Sequence, residues 1–231
     1  MHPGETRTKL TIGQHFTWIG MRRTVQNVCQ RCQACQLHKP KLRKLGHLLP
    51  KTPEEIPWDI LCIDLVGPYT IGTSKKNEVT LHCLTMIDPV TGWFEIAEIP
   101  SKSADDVANV LEQTWFTRYP WPTMVVLDRG KEFRAEVEQT LRDEYNIERR
   151  VITTRNPQAN SMVERAHQTI HNLIAVQGIK SSEDLPGGTW NGVLSAVAFA
   201  MRATIHTTTR ATPMQLVFGR DAIHNVHFEA N

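Results

Sequence analysis

Two short apolar segments that each carry or lead into an aspartate constrain this chain more than any other feature. Residues 60–66 read Ile-Leu-Cys-Ile-Asp-Leu-Val, with Asp64 inside the apolar run, and residues 124–127 run directly into Asp128. A third acid, Glu164, follows Asp128 with 35 residues between them. A carboxylate within a buried strand costs free energy unless a cation meets it, and a divalent metal ion is one such cation. The three acids are therefore candidate metal ligands.

The length and composition are those of a globular protein. The chain has 231 residues, of which 40% are hydrophobic and 22% charged, enough for one large or two modest domains. No apolar stretch approaches the roughly 20 residues that a bilayer requires, and we expect neither a membrane helix nor a secretion signal. The five cysteines indicate a reducing compartment, in which metal binding is favoured over disulfides.

Charge is unevenly distributed along the chain. Residues 1–50 contain nine Lys/Arg residues and one acid, whereas the remainder contains 17 basic and 23 acidic residues. A basic N-terminal segment beside an acid-bearing core is typical of a protein that binds phosphates with its basic segment and metal ions with its core. A solvated basic tail is the simpler alternative.

Hydrophobic patterning predicts a layered α/β domain. The predicted strands are Ile60–Val66, Val79–Asp88, Trp93–Ile99, Thr123–Asp128 and Ile147–Thr153. The predicted helices are one that follows an N-cap at Ser103, then Glu132–Asn146, about Ser161–Val176 and Trp190–Thr204. The turn residues 88–92 join the second and third strands as a hairpin. Residues 211–220 are expected to form an apolar helical turn that Gly219 ends.

The first 39 residues have helical patterning and end in a cysteine pair. Cys32 and Cys35 have the C-x2-C spacing that places two thiolates on one zinc ion, and histidines would complete the set. The candidate histidine, His2, precedes Cys32 by 29 intervening residues. The alternative is a small helical bundle whose thiols bind no metal.

The segment between His38 and Trp58 is predicted to be a linker. It contains a basic cluster and four prolines that interrupt any helix. The basic residues are Lys39, Lys41, Arg43 and Lys44. They are compatible with an extended segment that lies along DNA phosphates, and equally with a soluble linker that binds nothing.

Together these motifs resemble the D,D-35-E integrases of retroviruses and retrotransposons, with gypsy-type elements as the most similar branch. The resemblance rests on Asp64, on Asp128-Arg-Gly-Lys-Glu-Phe, and on Glu164 in a segment that begins Pro157-Gln158. The N-terminal His2-Pro-Gly and Cys32-x2-Cys35 resemble the His-His-Cys-Cys zinc domain of the same family. Two departures are Asn156, where the family commonly has His, and Ser161, where it favours Gly.

The resemblance implies an RNase H-like α/β fold, a mixed five-stranded sheet with flanking helices, preceded by a small helical domain of the zinc-binding type. The implied division is a zinc-binding-type domain at 1–39, a linker at 40–57, a catalytic core at 58–210 and an extension at 211–231. His2 matches the second family histidine, so the first would precede Met1, and the N-terminus is expected to be truncated. His15, His38 and Cys29 are the possible substitutes, although His15 adjoins an aromatic cluster that favours a structural role. No C-terminal barrel or chromodomain is expected.

The implied chemistry is phosphodiester transfer assisted by two Mg²⁺ (or Mn²⁺) ions. Asp64 would bridge the ions, with Asp128 and Glu164 each holding one, to trim the 3′ ends of the element and join them to target DNA. Glu164, His167 and His171 share one face of the predicted helix. The candidate DNA contacts are Gln158, Asn160, Arg165, His167, His171, Lys39, Lys41, Arg43 and Lys44.

Further expectations are double-stranded DNA as partner, homo-oligomers, no membrane association and a nuclear location. One rival is a decayed or host-retained copy that binds DNA or chromatin without catalysis. The other is an RNase H-like nuclease that cuts DNA without joining it.

Overall fold

The computed structural model describes residues 3–38, 56–71, 79–127, 136–151, 167, 190–207 and 209–222. Its helices are α1 (Glu5–Gly13), α2 (Met21–Arg31), α3 (Gln33–His38), α4 (Ala104–Leu111), α5 (Glu136–Tyr145), α6 (Trp190–Arg202) and α7 (Pro213–Phe218). A π-helical turn at Glu112–Phe116 continues directly from α4. Its strands are β1 (Ile60–Ile71), β2 (Val79–Ile87), β3 (Phe94–Glu98), β4 (Met124–Leu127) and β5 (Glu148–Val151). Within these ranges no helix combines the length and apolarity needed to cross a bilayer.

The strands form one mixed sheet in the order β3-β2-β1-β4-β5. β2 pairs antiparallel with both β1 and β3, while β4 pairs parallel with both β1 and β5. The predicted hairpin is confirmed, and the buried Asp88 closes its turn by accepting the Thr91 hydroxyl proton at 2.6 Å. The central strand, β1, carries the first of the three candidate acids.

β1 is longer than the sequence predicted, because the Gly-Pro pair after Val66 does not end it. Its pairing with β2 shifts register between Val66 and Tyr69, so Pro68, which has no N–H, lies at an irregular point of the ladder. Gly67 has φ 108°, and a Cβ there would lie 2.5 Å from the carbonyl oxygen of Leu81. Only glycine fits this close approach of two strands.

Helices cover both faces of the sheet and create two cores. On one face α6 packs on β1, β2 and β3 through Trp190, Val193, Leu194, Val197, Cys62, Cys83 and Phe94. On the other face α4, the π-helical turn and α5 pack through Val107, Leu111, Trp115, Leu141, Leu61, Ile63 and Leu84. Because side chains alternate along a strand, Asp64 lies on the α6 face with Cys62 and Val66.

A buried ion pair joins α6 to the edge strand β3. Arg202 donates from Nη1 to Oε1 of Glu95 at 2.6 Å, and the Tyr119 hydroxyl donates to the same oxygen. The guanidinium carbon lies 4.9 Å from the centroid of a Trp93 ring. Burial and the hydrogen bond to Glu95 raise the pKa of Tyr119. These contacts hold the C-terminal end of α6 against the edge strand.

Two helix starts follow the capping rules. Ser103 caps α4 by accepting the Asp106 amide proton at 3.2 Å, as the sequence predicted. Thr212 caps α7 in the same way, accepting the Gln215 amide proton at 3.0 Å. In turn, the side-chain oxygen of Gln215 accepts the Thr212 amide proton. Gly219, with φ 66°, ends α7, which confirms the predicted helical turn and its stop.

The N-terminal region is helical, as predicted, but has little core of its own. Among described residues 3–38 only Val25 is buried. Phe16, Ile19 and Leu37 are 59%, 103% and 79% exposed. One contact with the C-terminal segment is a 3.4 Å hydrogen bond between the side-chain amides of Gln215 and Gln14.

Candidate metal and DNA site

Asp64 lies in the middle of the central strand, with its side chain 17% exposed. Its Oδ1 atom accepts the amide proton of the following residue, Leu65, at 2.8 Å, which orients the carboxylate. Its Oδ2 atom faces His167, whose Nδ1 atom is 3.8 Å away. A predicted metal ligand thus occupies a rigid element and adjoins an imidazole.

The end of β4 lies beside Asp64. The two strands are parallel, and the last recorded pair is Cys62 with Val126. β4 ends at Leu127, one residue later. The next residue in the sequence is Asp128, the second candidate acid, which lies outside the described residues.

His167 brings a third part of the chain to the same place. Its Nε2 atom is 3.1 Å from the Thr85 hydroxyl, and its side chain is 21% exposed. Burial lowers the pKa of His167 to about 4, so the imidazole is neutral at pH 7. Glu164 precedes His167 by three residues and lies outside the described part of the chain.

Thr85 is a site residue that sequence reasoning missed. It is 1% exposed, pairs directly with Asp64 across β1 and β2, and donates its hydroxyl proton to the Asp64 carbonyl oxygen at 3.0 Å. A signal was available, because Thr85 is a polar residue between the apolar Leu84 and Met86 on a predicted strand. The pairing register of β1 and β2, which the sequence does not reveal, is what places Thr85 opposite Asp64.

The remaining candidate acids and DNA contacts all lie outside the described residues. They are Asp128, Glu164, Gln158, Asn160, Arg165, His171, Lys39, Lys41, Arg43 and Lys44. Their roles therefore stay predictions. Of the predicted site residues of the core, the structure brings together Asp64 and His167.

The described donors fit a hard divalent cation. Asp64 offers carboxylate oxygen, the ligand that Mg²⁺ prefers and Mn²⁺ accepts, on a buried central strand. Its neighbour His167 is neutral and adds no positive charge to the site. No three ligand-type side chains cluster within the described ranges, which exclude Asp128 and Glu164. The carboxylates of those two residues would have to complete the set.

The cysteine pair lies at the junction of two N-terminal helices. Cys32 follows the last residue of α2 with extended backbone, and Cys35 is in α3, both partly buried. No group of three candidate ligands forms in the described ranges, and the roles of Cys29 and His15 as substitute ligands stay predictions. His2 and the side chain of His38 lie outside the described residues.

Two family models match the chain in succession. Residues 1–41 match the integrase zinc binding domain and residues 54–157 match the integrase core domain. These two matches, in this order, agree with the resemblance that the acids and cysteines indicated. Divalent metal ions are typical of the core family.

Curated relatives include the Transposon Tf2-3 and Tf2-4 polyproteins of Schizosaccharomyces pombe (strain 972 / ATCC 24843). Each is 26% identical to the chain over 222 residues, which is 94% of this chain and 16% of the polyprotein. The chain therefore spans about a sixth of the length of these relatives. The matched piece corresponds to one part of a much longer product.

Two solved structures resemble the fold. The catalytic core domain of BIV integrase has a TM-score of 0.54 and 20% identity, covering 69% of this chain and 93% of that one. A chain of the simian T-cell lymphotropic virus intasome in complex with PP2A regulatory subunit B56 gamma has a TM-score of 0.60 and 16% identity, covering 98% and 78%. The fold is thus the RNase H-like fold of integrase cores, with a helical region ahead of it.

Proposed function

We propose that the chain is the integrase portion of a long-terminal-repeat retrotransposon. It would trim the 3′ ends of the element DNA and then join the resulting 3′-OH groups to target DNA. Both steps are in-line transfers at phosphorus that differ in the attacking oxygen, which is water in the first and the DNA 3′-OH in the second. The domain division at 1–39, 40–57, 58–210 and 211–231 is part of this proposal.

One observation carries the proposal: parts of the chain beside each of the other two acids meet at Asp64. β4 ends at Leu127, next to β1, and the following residue is Asp128. His167, three residues after Glu164, lies 3.8 Å from Asp64 Oδ2. Two segments remote in sequence therefore lie against the strand that carries Asp64: β4 pairs with it up to Cys62, and His167 faces the carboxylate itself. A three-acid metal site requires such convergence.

Within this proposal the acids have one task, to hold divalent cations. When bound, two such ions would activate the attacking oxygen and stabilise the charge that develops on the leaving oxygen. Asp64, Asp128 and Glu164 would supply the carboxylate ligands. β1 and its hydrogen bonds keep the Asp64 carboxylate oriented before DNA arrives, so little reorganisation is needed during the reaction.

The N-terminal region would serve DNA binding. Cys32, Cys35 and His2 would hold zinc, and the basic residues 39–44 would follow the DNA backbone, whose phosphates attract Lys and Arg irrespective of sequence. Gln158, Asn160 and Arg165 would lie near the reacting DNA end. Joining two DNA ends requires at least two copies of the chain, so a homo-oligomer acting on nuclear DNA is part of the proposal.

The test compares the chain with Asp64→Asn on labelled duplexes that carry the terminal sequence of the element, read from the flanking genome, with Mg²⁺ or Mn²⁺. Removing a metal-binding charge should lower product formation on the order of 10³-fold. The matched control is Asp59→Asn, five residues earlier, because Asp59 bonds the Thr123 hydroxyl at 2.8 Å, away from the site. It should retain activity.

Three results would contradict the proposal in different ways. Equal activity of Asp64→Asn would remove Asp64 from the chemistry. Cleavage without joining would favour a simple nuclease. DNA binding with no products from either protein would favour the non-catalytic derivative, provided that a version extended upstream of Met1 is also inactive.

A further inference from the structure

A buried hydroxyl lies between two residues of the proposed active site. Thr85 is 1% exposed and contacts both Asp64 and His167 through its Oγ1 atom, at 3.0 Å and 3.1 Å. It lies on β2, whereas its two partners lie on β1 and on the segment that follows Glu164. One side chain therefore connects three parts of the chain at the level of the catalytic carboxylate.

The hydrogen-bond directions around this hydroxyl are restricted. A threonine hydroxyl has one proton, and here it is donated to the Asp64 carbonyl oxygen. The oxygen can then only accept from the His167 ring, so Nε2 must carry the ring proton. The opposite ring nitrogen, Nδ1, is thereby directed at Oδ2 of Asp64.

We infer that Thr85 is a positioning residue: its hydroxyl holds the His167 imidazole with Nδ1 toward the Asp64 carboxylate and so fixes His167 against β1. The inference deepens the proposed function and rests on it. Because Thr85 is buried, it acts through His167 and Asp64 and does not touch DNA. Its loss should lower kcat while leaving KM for DNA unchanged, the pattern of an interaction that serves the chemical step.

The experiment uses Thr85→Val, which keeps the shape and removes the hydroxyl, and Thr85→Ser, which keeps the hydroxyl. The matched control is Thr91→Val, because Thr91 is also buried in the same hairpin and its hydroxyl bonds the Asp88 carboxylate. The control removes a buried hydroxyl without touching His167. Thermal unfolding of every variant identifies any that fail to fold.

Two readouts are combined. Steady-state joining of the labelled duplex should give a kcat about tenfold lower for Thr85→Val, with KM within about twofold, and recovery in Thr85→Ser. Imidazole ¹⁵N spectra of the DNA-free protein should show His167 with its proton on Nε2 in the unmodified chain, in Thr85→Ser and in Thr91→Val. Thr85→Val should lose that signature. His167→Gln assigns the signal among the ten histidines.

The inference is overturned if Thr85→Val keeps both its kcat and the His167 spectrum. It is also overturned if Thr91→Val lowers kcat equally, because the effect would then reflect general destabilisation of the hairpin. Failure of the proposed function gives a different result. In that case Asp64→Asn remains active, while the spectra still report whether Thr85 orients His167.

Discussion

The N-terminal helices and the sheet domain are stabilised by different means. The sheet domain buries apolar side chains on both faces, and Leu61, Leu84 and Trp115 are 0–1% exposed. The described part of the helical region buries Val25 alone. A region this short with so small a core needs metal or a partner surface to remain folded. The comparison teaches that the sheet domain has a core large enough to fold on its own side chains, whereas the described N-terminal helices do not.

The largest effect is expected from removing the cysteine pair. Cys32→Ser combined with Cys35→Ser should abolish zinc binding and unfold the N-terminal helices, because structural zinc supplies about 10–16 kcal/mol of apparent binding free energy in zinc-finger peptides. The sheet domain should unfold at an unchanged denaturant concentration. Metal analysis and far-UV circular dichroism measure the first effect.

Cys29→Ser is the control for this experiment, since Cys29 does not cluster with the pair. It should retain zinc and helicity. Full helicity of the double variant without metal would contradict the proposed difference between the two regions, because the N-terminal helices would then need no added ligand.

The second largest effect is expected at the edge of the sheet. Glu95→Ala leaves the Arg202 guanidinium, whose side chain is 18% exposed, without its carboxylate and should lower the free energy of unfolding by about 3 kcal/mol. Denaturation followed by tryptophan fluorescence reports it, because five of the six tryptophans lie in residues 58–190. The double variant Glu95→Leu with Arg202→Met should recover much of the loss. A single-variant loss below about 1 kcal/mol would show that the pair is no more than a surface ion pair.

A smaller effect is expected where β1 passes close to β2. Gly67→Ala places a methyl group 2.5 Å from the Leu81 carbonyl oxygen at φ 108°. The strain should cost about 1–3 kcal/mol in denaturant unfolding. Gly92→Ala, in the same domain at φ 71°, where a Cβ would lie at an ordinary 3.6 Å from Pro213 Cγ, tests the positive φ without the close contact. Equal losses from the two variants would remove the close approach as the cause.

The smallest effect is expected at the start of α7. Thr212→Ala removes the cap on the Gln215 amide and should cost about 1–2 kcal/mol of unfolding free energy, with Thr212→Ser retaining most of it. Thermal unfolding by calorimetry measures the difference. An Ala variant as stable as the unmodified chain would assign the stability of α7 to its packing on Trp93, whose ring lies 5.4 Å from that of Phe218.

Local chemistry made much of the fold predictable. The turn at 88–92, the cap at Ser103 and the stop at Gly219 depend on residues adjacent in sequence, and the structure confirms all three. The length of β1 was not predictable in this way. A Gly-Pro pair normally ends a strand, and only the neighbouring strand explains how it is accommodated here.

The sequence singled out Asp64 and His167 but not Thr85, which lies between them. Asp64 was identified from its position in an apolar run, whereas Thr85 depends on the register of two strands 21 residues apart in sequence.

The most direct test of the central claim is to locate the metal ions. Fe²⁺ bound in place of Mg²⁺, supplied with hydrogen peroxide and ascorbate, generates hydroxyl radicals that cut the nearby backbone, and the fragments can be sized by mass spectrometry. The account predicts cuts near residues 64, 128 and 164, suppressed by excess Mg²⁺ and absent in Asp64→Asn. Cuts elsewhere, or cuts at these positions that persist in Asp64→Asn, would contradict a metal site built on these three acids.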